Sequence, residues 1–138
     1  METKICSKCG RLLPIDQFNF RDKIKGTRRA DCKECHSGYM KLIYQKKKEI
    51  IQEWKSEQSC CKCGDKRGYV LDYHHIDPST KTDTIARMTS NNYTLTTVQE
   101  EIKKCVVMCA NCHREWHYLL NLNPNLTFED YLNKNIPM

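Results

Sequence analysis

Long apolar runs are missing from this chain of 138 residues. No stretch approaches the roughly 18 apolar residues expected of a membrane span, so no membrane partner is expected. The opening Met-Glu-Thr-Lys-Ile-Cys has no apolar run that could serve as a signal peptide. Hydrophobic residues reach only 39% at a mean hydropathy of -0.73. So little apolar mass cannot easily support two independent cores, and small domains usually need staples, either disulfides or metals. Beyond its paired cysteines the chain has no internal repeat, and it has no low-complexity tract. One ordinary domain or two very small ones remain.

Cysteine is the residue present in excess, at 10. Without an export signal, so many cysteines argue for metal thiolates rather than a disulfide scaffold, and a cytoplasmic setting is the expectation. Eight of them form four Cys-x2-Cys pairs: Cys6/Cys9, Cys32/Cys35, Cys60/Cys63 and Cys109/Cys112. Two residues between thiols let a tight turn present both sulfurs to one ion, and a tetrahedral zinc takes two such pairs. Two structural Zn2+ sites are therefore expected, one from each half of the chain. Cys60 is preferred over Cys61 only because it keeps the spacing to Cys63, and Cys105 reads as a buried thiol.

Formal net charge is +6, and it is unevenly placed. Residues 1–59 carry 14 Lys and Arg against 8 Asp and Glu, whereas residues 60–138 carry 9 of each. A basic arm beside a nearly neutral half suits a polyanionic partner, although a solvated basic helix has the same composition.

Residues 1–36 read as a first zinc module, with Leu12, Leu13, Ile15, Phe18 and Phe20 as a miniature core and turns at Pro14 and Gly26. Arg21, Lys23, Lys25, Arg28 and Arg29 crowd its tip, where phosphates can be met. His36, following Cys35, is a possible substitute ligand. Residues 37–58 read as a basic linker helix, with Met40, Ile43, Lys47, Ile50, Ile51 and Trp54 at helical spacing. A strand is expected over Tyr69–Ile76 and a helical turn near Ile85–Met88. Thr97 and Glu100 have the spacing of a capping box before a helix over Val98–Lys104. A strand follows at Cys105–Met108. Asn111 is the expected cap of a helix from Cys112 to about Leu120, and Thr127 that of a last short helix in a C-terminal extension, residues 122–138.

The chemistry-bearing segment is Cys-Ala-Asn-Cys-His-Arg-Glu-Trp-His, residues 109–117. His113 and His117 are four apart, so on a helix both imidazoles lie on one face and can share a cation. Cys112, beside them, would be pinned by a structural zinc. His74 and His75 stand in tandem at the end of the expected strand, where neighbours point to opposite faces. One can ligate while the other works as a base, since an imidazole titrates near neutral pH.

Leu-Asp-Tyr-His-His-Ile-Asp-Pro followed by Cys-x2-Cys-His-x3-His resembles the HNH (His-Asn-His, ββα-metal) endonuclease family over about residues 58–120. The earlier Cys-x2-Cys-Gly…Pro…Phe…Cys-x2-Cys segment is similar to the zinc module that often precedes phage or homing-type members. The resemblance implies a small metal-stabilised α+β fold, with a ββα-metal nuclease domain at 59–121 after the zinc-ribbon-like module and linker helix. It implies His74, His113 and His117 as ligands of one catalytic divalent cation, Mg2+, Mn2+ or similar, with His75 as general base. Cys60, Cys63, Cys109 and Cys112 match the family's structural zinc. The position of the family's middle Asn, whose implied role is to hold the loop and the base, is Lys104 here; Asn92 is carried over for that role, with Asn91 and Asn111 as alternatives. Asp72 is a further candidate for steering the base.

The implied activity is hydrolysis of DNA phosphodiesters to 5′-phosphate and 3′-hydroxyl ends, with Arg114 and Lys104 as phosphate contacts. A homodimer is implied if both strands are cut. Two rival readings stay open: a non-catalytic, zinc-dependent nucleic-acid-binding module, and a protein in which all these residues serve three structural zincs.

Overall fold

A computed structural model describes residues 1–134, so the last four residues of the expected C-terminal extension, 135–138, lie outside the described region. The fold is small α+β. Two compact units divide the chain, Met1–Lys46 and Lys47–Met138.

In the first unit, strand β1 (Thr3–Ile5) pairs antiparallel with β2 (Leu12–Pro14), and β3 (Phe20–Asp22) with β4 (Thr27–Arg28). Helix α1 (Lys33–Ser56) begins inside the Cys32/Cys35 pair, four residues before the expected start at residue 37. His36 N–H, donating to Cys32 O at 2.9 Å, already closes its first turn. The expected five-residue core is corrected by the structure. Phe18 is buried with Cys6 and Cys32, whereas Leu12 and Phe20 are exposed. Two buried cysteines, Cys6 and Cys32, take the place of apolar side chains beside Phe18, with Leu13 and Cys35 packed on them. Gly10 follows the first knuckle at φ 69° and Gly64 the third at φ 78°, a left-handed turn that glycine takes without steric cost.

The second unit is built on β5 (Leu71–His75) paired antiparallel with β6 (Cys105–Cys109), His74 opposite Val106 and His75 opposite Cys105. Between them run α2 (Ile85–Ser90) and α3 (Leu95–Ile102); after them come α4 (Ala110–Leu122) and α5 (Phe128–Leu132). Two apolar clusters result. Leu71, Val107, Met108, Trp116, Leu126 and Tyr131 form one, on the α4 and α5 side. Ile51, Ile85, Met88 and Val98 form the other, with Trp54 and Tyr73 packed on it.

The caps differ from expectation in two places. Thr94, not Thr97, caps α3, its hydroxyl accepting from Thr97 N–H at 3.2 Å. Starting the helix a turn earlier brings Val98 and Ile102 onto the cluster. Cys109, not Asn111, caps α4, its sulfur accepting from Cys112 N–H at 3.5 Å. A knuckle sulfur is itself a good acceptor and already lies at the turn. Thr127 caps α5 in a full capping box with Asp130.

Lys47 explains why a lysine stands in the apolar stripe of α1. Its buried ammonium donates to Met88 O at 3.2 Å, Asn91 O at 2.6 Å and Tyr93 O at 3.1 Å, closing the end of α2. Burial pulls its pKa below the usual lysine range. Lys47→Met keeps the stem and strands those carbonyls, so unfolding free energy in urea should fall by about 1–3 kcal/mol. An unchanged urea midpoint would count against this role.

Candidate metal centre

Among the described residues, three groups of ligand atoms converge, each within 4.8 Å: Cys6, Cys9, Cys32, Cys35; Cys60, Cys63, Cys109, Cys112; and His74, His113, His117. The two quartets can hold two structural zinc ions. At a Zn–S length of about 2.3 Å, tetrahedral sulfurs stand roughly 3.8 Å apart, and Cys63 Sγ lies 3.7 Å from Cys109 Sγ. Cys32 N–H and Lys8 N–H donate to Cys6 Sγ, as suits a thiolate. Hydrogen bonds from the Cys9 and Cys32 backbone hold Cys6 down at about 6. Burial opposes ionisation of Cys60, but N–H groups of Cys109, Cys63 and Lys62 outweigh it and bring that thiol to about 6. Cys35 and Cys112 are pushed up, the first chiefly by the Cys32 sulfur and the second by burial. Four crowded sulfurs cannot all ionise without a cation between them. His36 stands apart, its Nδ1 bonded to Asp31 at 3.1 Å, and Cys61 is exposed outside its quartet.

The imidazole trio joins β5 to α4. His74 Nδ1 lies 3.1 Å from His113 Nε2, which lies 3.2 Å from His117 Nε2. Nitrogens bound to one tetrahedral ion at about 2.0–2.1 Å would be roughly 3.3 Å apart, so the spacing fits a shared cation. The donor chemistry agrees. Asp72 Oδ2 takes His113 Nδ1–H at 3.3 Å, leaving the His113 Nε2 lone pair aimed at the other two rings. Burial, then the charges of His113 and His117, hold His74 down at about 4; burial also lowers His117. Rings kept neutral are rings able to ligate. Phe128 stacks on His74 at 5.8 Å and Trp116 meets it edge-on at 6.3 Å, a wall behind the ligand. In front opens a cavity of about 450 Å³ lined by Asp72, His113, Arg114, His117, Tyr118 and Asn121.

His75 is not among the three converging rings. Its Nε2 lies 2.8 Å from the buried Glu101 carboxylate on α3. Asn92 is exposed in the turn between α2 and α3. Lys104, considered for phosphate, instead donates to Glu101 Oε2 at 2.8 Å and Thr80 O at 2.9 Å. Arg114 is exposed at the cavity.

Among the basic residues of the first unit, Arg21 and Lys25 are exposed. Arg28 is committed within the module, its guanidinium 3.5 Å from the Phe20 ring centroid and bonded to Phe18 O at 2.9 Å. Arg29 pairs with Asp31 at 3.1 Å. Glu101 and Phe128 escaped the sequence reading. A Glu three residues before a Lys on a helix was the one signal available for Glu101.

Comparison with known families, curated proteins and solved structures finds no match. No helix among the described residues is long and apolar enough to cross a membrane.

Proposed function

We propose that this chain is a divalent-metal-dependent DNA endonuclease of the His-Asn-His kind, with β5, β6 and α4 as its ββα-metal core. The observation that carries the reading is the convergence of His74, His113 and His117 from a strand end and a helix face onto one point. Their neighbour His75 is left outside that set.

A divalent cation held there would neutralise charge developing on the phosphodiester. His75 takes a proton from water; the water oxygen bonds phosphorus, the bond to the 3′ oxygen breaks, and that oxygen takes a proton from solvent. The products are a 5′-phosphate and a 3′-hydroxyl. Arg114, at the rim of the cavity, reaches phosphate, and the exposed Arg21, Lys23 and Lys25 supply further backbone contacts. With one such centre per chain, a double-strand break takes two copies or two encounters.

The test is nicking of supercoiled plasmid with Mn2+ or Mg2+ by wild type and His75→Ala, alongside DNA binding by gel shift. Loss of the base should slow cutting by about 10²–10⁴-fold with binding retained. Binding by both proteins and cutting by neither would instead favour a non-catalytic zinc module.

A further inference from the structure

Glu101 is 3% exposed and His75 9%, and a glutamate is almost never buried so deeply unless paired. Every bond to this carboxylate arrives from a donor. Oε1 accepts from Thr82 N–H at 2.7 Å and faces His75 Nε2 at 2.8 Å; Oε2 accepts from Lys104 Nζ at 2.8 Å. Lys104 is itself anchored to Thr80 O at 2.9 Å, so strand end, loop and helix are tied at one carboxylate.

An ionised carboxylate can only accept, and a neutral imidazole carries one proton. The hydrogen on His75 must then sit on Nε2, and Nδ1 must present its lone pair. No hydrogen-bond partner for Nδ1 is found among the described residues. The only fully buried, unpartnered side-chain polar atom among them is the Tyr73 hydroxyl, so His75 Nδ1 keeps contact with solvent.

We propose that Glu101 is the positioning residue of this site, holding His75 as the Nε2–H tautomer so that Nδ1 is the atom that accepts the proton from water. The catalytic consequence rests on the nuclease reading above; the tautomer does not. When Nδ1 takes the proton, the imidazolium is already paired with the carboxylate at its far nitrogen. That arrangement assigns to an α3 carboxylate the holding role that the resemblance gives to an asparagine.

The experiment compares zinc-loaded wild type, Glu101→Ala and Glu101→Gln. Two-bond proton–nitrogen NMR spectra at neutral pH report the His75 tautomer, and zinc content with thermal melts shows that each protein is folded. Wild type and Glu101→Gln, which keeps an acceptor oxygen, should show Nε2–H; Glu101→Ala should lose that preference. In plasmid nicking with Mn2+, kcat should fall about 100-fold in Glu101→Ala with KM unchanged, and Glu101→Gln should restore it to within about tenfold of wild type. Nδ1–H in the wild type overturns the proposal outright, even if Glu101→Ala fails to fold. Wild-type cutting matched by a folded Glu101→Ala overturns it while leaving the nuclease intact. If the wild type cuts nothing, the nuclease reading falls, and the tautomer alone decides whether Glu101 positions His75.

Discussion

Cys109→Ser is expected to unfold the second unit rather than merely soften it. Cys109 is 5% exposed, ends β6 opposite Leu71, caps α4 and supplies one sulfur of its quartet. Strand, helix start and metal site therefore fail together when this thiolate goes. Structural zinc in small domains contributes apparent binding free energies of roughly 10–16 kcal/mol, as much as the whole stability of about 5–15 kcal/mol typical of a domain. Losing even half of that leaves little to hold β5 against β6. The expected observation is loss of far-UV ellipticity and of one bound zinc, reproduced in the wild type by a strong chelator. A variant melting within about 2 °C of wild type, a shift worth well under 1 kcal/mol, would show that the quartet is not a structural staple.

His113→Ala should do the opposite, sparing the fold and removing the chemistry proposed above. His113 stands at the middle of the trio, 3.1 Å from His74 and 3.2 Å from His117, and carries the bond to Asp72. Its side chain is a quarter exposed, so truncation opens no large cavity in the core. With both quartets intact, bound metal should fall from three ions to two while the melting curve holds. Charge stabilisation of several kcal/mol at a metal site, at about 1.4 kcal/mol per tenfold, places the loss of cutting on the order of 10³-fold. Retention of all three ions would mean that the imidazoles do not form the third site. Collapse of the fold would mean that the third ion is structural.

How far spacing alone reaches is clearest at particular residues. The two sulfurs of Cys60 and Cys63 belong to one turn, and the rings of His113 and His117 to one helix face, so both pairings follow from local geometry. The tandem His74-His75 likewise has to split across a strand, and it does. Lys47, Phe20 and the cap of α3 show where local rules mislead. Lys47 keeps the helical period yet serves carbonyls 41 to 46 residues away. Phe20 has core chemistry, yet it stands exposed and its ring carries Arg28 instead. Thr97 has a carboxylate at the capping distance, yet the apolar cluster draws the helix start back to Thr94.

Read alone, the chain determined its candidate ligand groups: which sulfurs pair, which imidazoles share a helix face, and that the tandem histidines must diverge. Turn and helix geometry within four residues suffice for that, because they vary little from one protein to another. Tertiary structure decided the partners: Glu101 at His75, Asp72 at His113, Phe128 behind His74. Those meetings depend on the register of β5 against β6 and on how α3, α4 and α5 pack around that pair. Such contacts are set by the burial of side chains far apart in sequence, and no local spacing encodes them.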